Sequence, residues 1–308
     1  MANSNNWGEI YKSTWWGDED WSANSLKIDS APPGFAFTGL LDTYTGAAAA
    51  YSVRKLSSTY TGGALRVRRS SDDTEQDIGF NASNELDTAA LLSFVGTGGT
   101  DNGFVTKWYD QSGNNNDAIN ADASEQPLVV SGGTLVTENG KAAIDFDGVD
   151  DYFTGASKTT MNNTAIFAVI KSDSNTQDAV FIQNTLDASN FVALGLGNKG
   201  SNNAIGSLLL VGGSTVDTVG DSTFTATDQT LVSYLADNTA GQMFVDGTEE
   251  TDAVGSRGGG VATTIGARGD SNNPFNGAFQ EVIFFDSDQS SNRTGIETNI
   301  NDHFSIYP

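Results

Sequence analysis

Three aspartates in FDGVDD, Asp147, Asp150 and Asp151, crowd three carboxylates into one short stretch. Carboxylate oxygens suit a hard cation such as Ca²⁺, so this is one candidate metal site. A tight turn between two strands accounts for the same residues, and the spacing matches no defined calcium loop. A second stretch is WYDQSGNNN, Trp108 to Asn116. Trp108 and Tyr109 suit a pleated, half-buried surface, while Asp110, Ser112, Gly113 and Asn114 bend the backbone and bond it locally. An aromatic pair feeding so polar a turn is either a structural corner or the rim of a ligand site. The chain has one histidine, His303, and no cysteine. Disulfides, thiolate metal sites, cysteine nucleophiles and His-rich clusters are therefore excluded, and a Ser-His-Asp triad could use only His303. That residue lies beside an apolar stripe and reads as an ordinary, partly packed side chain. No cofactor is expected.

The elements that must position these residues are mostly strands. With 308 residues the chain can bury a sizeable core, and Gly 35 against Pro 5 suits many turns and few rigid linkers. Lys+Arg 15 against Asp+Glu 39 gives a net charge of -24, which repels phosphate and anionic lipid, so neither nucleic acid nor membrane is an expected partner. Five of the fifteen basic residues fall between Arg54 and Arg69. No apolar run approaches the ~18 residues of a membrane-crossing helix, and MANSNNWGEIYK lacks the apolar core of a signal peptide.

Residues 1–35 carry Trp7, Trp15, Trp16 and Trp21 among polar and acidic neighbours, and Pro32-Pro33-Gly34 then breaks the chain. So short a piece cannot form its own core. It reads as an N-terminal arm whose tryptophans dock on a neighbouring subunit, or as a segment folded back on the main domain, residues 36–308. GAAAAYSVRKLS (46–57) and NELDTAALLSFV (84–95) read as helices from their alanines and 3- and 4-residue spacing. ALRVRRSSDD reads as a strand with Leu65 and Val67 on one face and Arg66 and Arg68 on the other, the arginines partnered by carboxylates. Strand-like runs then recur at 142–146, 165–170, 179–183, 191–197, 207–212, 230–236, 242–247 and 281–285. Hairpin dipeptides accompany them: Asn102-Gly103, Asn139-Gly140, Asp147-Gly148, Asp246-Gly247 and Asn276-Gly277. A last helix over 287–304, capped by Ser287 or Asp288, lays Ile296, Ile300 and Phe304 on the sheet. Many short strands with regular turns mean a β-sandwich or barrel.

Several of these segments together resemble known families. AAIDFDGVDDYF (142–153) and QMFVDGTEE (242–250) resemble concanavalin A-like, laminin-G-type jelly rolls. The C-terminal EVIFFDSDQSSNRTGIETNIND is similar to such domains in phage and marine bacterial proteins. AYSVRKLSSTYTGGALRVRRSSDDTEQDIG (50–79), followed by LDTAALLSFVG and VTKWYDQSGNNNDA, resembles the catalytic domain of α-L-arabinofuranosidase B, and the likeness extends over roughly residues 40–285. The fold it implies is all-β: a concanavalin A-like jelly-roll β-sandwich with a few short helices and an extended N-terminal arm.

The resemblance implies a retaining glycosidase, which needs two carboxylates ~5–5.5 Å apart. It places the family's acid, in GARGDSNN, at Asp270. It places the family's nucleophile, in FVALGLGN, at Val192, and a valine cannot attack an anomeric carbon; whether Glu281 substitutes is left open. The expectation is therefore a non-catalytic phage virion protein, a capsid decoration, head-fibre or tail component. This agrees with NNWGEIYKSTWWGD, which is similar to the openings of marine phage structural proteins. Its partners would be other virion subunits, further copies of itself and a cell-surface glycan, the glycan held around Asp270, Trp108 and Asn198, and its location the virion. The alternatives are a carbohydrate-binding module and an active α-L-arabinofuranosidase.

Overall fold

The structure, a computed structural model, describes residues 37–155, 163–173, 179–187, 190–198, 203–211, 214–223, 228–236, 241–250, 262–267 and 273–308. The chain divides into two units, Met1–Phe37 and Thr38–Pro308, and the second is the subject here. The four arm tryptophans, Trp7, Trp15, Trp16 and Trp21, lie outside the described residues.

In chain order the elements begin with α1 (Leu40–Thr43), β1 (Ala47–Ser52), β2 (Leu65–Arg69), β3 (Glu75–Ile78), α2 (Thr88–Val95) and β4 (Gly103–Trp108). Short strands follow: β5 (Ala118–Ile119), β6 (Leu128–Ser131), β7 (Thr134–Leu135), β8 (Thr137–Glu138), β9 (Lys141–Ala142), β10 (Ile144–Asp147) and β11 (Phe153–Gly155). Longer ones come next: β12 (Thr164–Ser172), β13 (Ala179–Asp187), β14 (Asn190–Asn198), β15 (Asn203–Val211), β16 (Ser214–Thr223), β17 (Gln229–Ala236) and β18 (Gly241–Val245). The order closes with β19 (Thr248–Glu249), β20 (Ala262–Ile265), β21 (Asn276–Phe285) and α3 (Arg293–Phe304). Strands dominate, as the strand-and-turn reading expects.

The hub is β21, NGAFQEVIFF, buried along nearly all its length. One edge pairs with β12. The other pairs with β1 over Glu281–Phe285 and with β10 over Asn276–Phe279. Beyond β12 the sheet continues through β17, β18 and β19. A second run of pairings goes from β3 through β2, β4, β5, β11, β20, β13, β14 and β15 to β16. The strand β6 joins the two by pairing with both β4 and β10. All these pairings are antiparallel, so each strand can bury one face and wet the other. A chain of aromatic rings ties the two sheets together. Tyr51 of β1 lies 5.7 Å from Trp108 of β4, Trp108 lies 6.4 Å from Phe153 of β11, and Phe153 lies 5.7 Å from Phe146 of β10. Such tilted and edge-on ring pairs fill a sandwich interior.

Three sequence expectations give way to tertiary context. Residues 46–57 form no helix: Ala47–Ser52 is a strand with all six residues buried. The helix preference of alanine is a fraction of a kcal/mol per residue, and both edges of β1 are hydrogen-bonded, one to β21 and the other to the loop after Trp108. The helix expected from 84 begins at Thr88, where the Asp87 side chain accepts from Ala90 N at 3.0 Å; Glu85 and Leu86 instead bridge to Arg54 and Phe80. The last helix begins at Arg293 and its N-cap is Asn292, with no side-chain cap bond. Asp288 accepts from Ser290 N, 2.8 Å away, inside the preceding turn. Ile296, Ile300 and Phe304 are fully buried, as their spacing predicts.

The dipeptides Asn139-Gly140 and Asp246-Gly247 are two-residue hairpins with both φ angles positive, joining β8 to β9 and β18 to β19. Asn102-Gly103 and Asn276-Gly277 instead lead into or open strands. The arginines of β2 have the expected partners: Arg66 with Glu75 and Asp77, Arg68 with Asp73, and Arg69 with Asp72.

Candidate functional site

The WYDQSGNNN loop is a structural corner. Trp108 is fully buried between Tyr51 and Phe153, so it packs the core and presents no ring to a sugar. Asp110, also buried, accepts from Ala50 N at 2.8 Å, Ser112 N at 2.9 Å, Ser112 Oγ at 2.7 Å and Asn116 N at 2.9 Å. The amide of Gln111 donates to the carbonyls of Ser52 and Arg54 and accepts from Leu56 N at 2.8 Å. Asn114 and Asn116 donate to the carbonyls of Ala47 and Ala48. The loop thus satisfies the free edge of β1 with side chains, where an open strand edge would pair with another chain.

Glu281 does not offer a nucleophile. It is fully buried, accepting from Arg54 Nε at 2.7 Å, Arg54 Nη2 at 2.9 Å and Ser52 Oγ at 2.7 Å. A carboxylate locked into a two-pronged ion pair is held away from any substrate. His303 is partly buried, and burial, then Arg54 and Lys141, lower its pKa to about 3. Its Nε2 lies 3.5 Å from Glu85 Oε2, but the ring is neutral at ordinary pH, so the contact is no ion pair.

The turn after β10 gathers carboxylates. Asp147, Asp150 and Asp151 each bring an oxygen within 4.8 Å of the others. Two of the three shape the turn itself: Asp151 Oδ2 accepts from Asp147 N at 2.9 Å, and Asp147 Oδ1 from Val149 N at 2.8 Å. Burial first, then Asp147, Asp150 and Asp145, push the Asp151 carboxyl up to about 7, against the lowering pull of the Asp147 amide. Burial, then Asp173, push Asp145 up to about 6, with Lys171 opposing. Carboxyls that hold a proton near neutral pH are what acid catalysis uses. Sequence reading singled out Asp151 as a metal-ligand candidate and passed over Asp145, whose only signal is an aspartate inside the otherwise apolar AAIDF.

This turn packs on both stems of the segment that carries Asp270. Asp147 pairs with Asn276, and Phe275 N donates to Gly266 O at 2.7 Å. At Gly266 φ is +94°, and a Cβ would lie 2.2 Å from the Phe146 ring and 3.1 Å from Asp151 O, so glycine alone lets β20 leave the sheet here. Asp270 itself lies outside the described residues. Val192 is paired with Asn184 and Leu209 along β14, and Asn198 ends that strand opposite Asn203; their side chains lie outside the described part.

A separate groove of about 620 Å³ opens between α1, residues 57–62 and the tip of the corner loop at Gln111–Gly113. Half of its fourteen lining residues carry a hydroxyl.

An antiparallel β-sandwich hosts many unrelated functions, sugar-binding lectin domains among them. Within that class the assignment is specific: the model of the α-L-arabinofuranosidase B catalytic domain matches residues 42–204, over half the chain, and the chain belongs to that family. Among solved structures, an arabinofuranosidase complexed with arabinofuranosyl-α-1,2-xylobiose aligns with a TM-score of 0.67 at 20% identity over 85% of this chain and 64% of that one. A GH54 α-L-arabinofuranosidase soaked with a cyclic sulfate inhibitor aligns at 0.66 and 20%, over 85% and 65%. These likenesses show the shared fold, and the chain spans just under two thirds of the length of either structure. No curated protein matches the chain.

Membership of a catalytic-domain family overturns the expectation of a non-catalytic phage virion protein. Its non-catalytic part rested on the placement of Val192, and its phage part on the Trp-rich N-terminal stretch and its likeness to phage structural proteins.

Proposed function

We propose that this chain is a glycoside hydrolase that releases α-L-arabinofuranosyl units from a saccharide. The observation that carries the reading is the catalytic-domain match over residues 42–204. The sandwich held in common with an arabinofuranosidase bound to arabinofuranosyl-α-1,2-xylobiose supports it, and an arabinofuranosyl side chain on a xylan-type backbone is the substrate class it points to.

In this reading Asp270 is the general acid, protonating the departing glycosidic oxygen as the C–O bond breaks. Asp151, raised to about 7, and Asp145, raised to about 6, belong to the strand and turn that pack on the described stems of its segment. The negative charge such carboxylates carry once ionised raises the pKa of a neighbouring acid, as catalysis requires. If the configuration of the sugar is retained, the attacking group is an acidic residue other than Val192.

The test is release of 4-nitrophenol from 4-nitrophenyl α-L-arabinofuranoside by the full chain. Asp270→Asn should lower kcat by about 10²–10⁴. NMR of the first-formed sugar distinguishes retention from inversion, and intact-mass analysis of a trapped glycosyl-enzyme locates the nucleophile. An unchanged rate in Asp270→Asn, or no release above the uncatalysed rate, sinks the reading.

A further inference from the structure

The groove beside β1 has a chemistry of its own. Its volume, about 620 Å³, is that of a small-molecule site. The walls carry the hydroxyls of Thr45, Ser57, Thr59, Tyr60, Thr61 and Ser112. Thr45, Thr59 and Thr61 are exposed, the Thr59 hydroxyl lying 3.0 Å from Ser57 Oγ. The lining includes no Lys or Arg, and the chain carries a charge of -24, so a phosphate or carboxylate ligand is disfavoured. The apolar part of the wall is Leu41 and Ala47, both buried, too little to hold a lipid or an aromatic ring system.

The one carboxylate in the wall is already engaged. Asp42 accepts from Gly39 N at 2.7 Å, Ser57 Oγ at 2.9 Å and Ser58 N at 2.8 Å, so it neither calls for a cation nor repels a neutral guest. Tyr60 donates its hydroxyl to Gly63 O at 2.9 Å. The rim is stiff: Gln111 is pinned to Ser52, Arg54 and Leu56, and Ser112 is held by Asp110. A preformed wall of hydroxyls and backbone amides binds without a large ordering cost. What matches it is a neutral, polyhydroxylated molecule.

We propose that this groove is a second saccharide-binding site, at the opposite end of β21 from the described stem of the Asp270 segment. Identifying the polyol as a saccharide rests on the glycosidase reading above. The separation rests on strand geometry. Ala47, in the groove wall, pairs with Phe285 at one end of β21, whereas the stem of the Asp270 segment enters β21 at Asn276. The strand between them spans roughly 30 Å at about 3.3 Å per residue. A site that far along β21 from the stem suits a polymeric substrate held at more than one place.

The experiment is amide NMR of the full, isotope-labelled chain titrated with arabinotriose and, separately, xylotriose. Shifts of the Thr45, Thr59, Thr61 and Gly113 amides are expected with at least one of them. They should persist in Asp270→Asn. Thr59→Arg, which fills the groove, should weaken the same titration about tenfold; Thr61→Arg serves if Thr59→Arg does not fold. Groove amides silent to both sugars overturn the proposal, as do shifts that vanish in Asp270→Asn. Groove shifts in a chain without glycosidase activity support this site and sink only the hydrolase reading.

Discussion

Replacing Arg54 by methionine tests the buried ion pair at the centre of the fold. The native guanidinium donates to Glu281 at 2.7 and 2.9 Å, and Glu281 is fully buried. Arg54→Met keeps much of the side-chain stem but strands a carboxylate in the core with only Ser52 Oγ, 2.7 Å away, as a donor. Removing one partner of a buried pair costs about 3–5 kcal/mol, because the survivor's desolvation is no longer offset. With an m-value of about 3 kcal/mol/M for a domain of this size, the urea midpoint should fall by about 1–1.7 M. Arg54→Met/Glu281→Leu removes both charges and should recover to within about 2 kcal/mol of the native protein, the residue reflecting the acceptor that Ser52 loses. Equilibrium unfolding followed by tryptophan fluorescence and circular dichroism reads both variants. An unchanged midpoint in the single variant, or a double variant no better than the single, would falsify the claim that this pair is desolvated and mutually dependent.

Asp110→Ala should destabilise by about 3 kcal/mol or more, since it orphans the buried Ala50 amide and unties Ser112 and Asn116; loss of the folded dimension in size-exclusion at reduced urea checks it, and a neutral effect contradicts the corner assignment. Trp108→Ala should cost about 3–5 kcal/mol as a core truncation, while Trp108→Phe, if folded, should leave saccharide titrations unmoved; a selective loss of sugar binding in Trp108→Phe would return that ring to the ligand site. Asp151→Asn should stabilise the protein at pH 8 and not at pH 4. The folded carboxyl, held at about 7 from a reference of 3.8, binds its proton more tightly than the unfolded one, so its neutral form favours folding at low pH and that benefit is lost as pH rises from about 4 through 7. Melting temperatures of the two proteins across that range decide it, and a gain equal at both pH values counts against the shift.

Legibility in the sequence followed physical range. Local rules were sufficient where one side chain meets its own neighbourhood. The left-handed Asn-Gly and Asp-Gly pairs gave two true hairpins, the spacing of Ile296, Ile300 and Phe304 gave the buried face of α3, and the alternation in β2 separated Leu65 and Val67 from the arginines. The alanine run failed because what decides Ala47–Ser52 is contributed from elsewhere: β21, more than two hundred positions later, and the corner loop, some sixty positions on. The same distance hid the fate of Trp108 and Glu281. An aromatic before a polar turn looks alike whether it faces solvent or core, and a strand carboxylate looks alike whether free or clasped by Arg54.

By itself the chain's order of residues determined the class of fold, the absence of thiol chemistry, the acidic balance of charge and the kinship carried by residues 50–117. Those properties depend on composition and on contacts a few residues apart. Only the tertiary structure decided which edge of β1 the WYDQSGNNN loop closes, which carboxyls are pushed well above their usual range and where a hydroxyl-lined groove opens. Burial and charge proximity set all three, and both are sums over residues that the backbone brings together from distant parts of the chain.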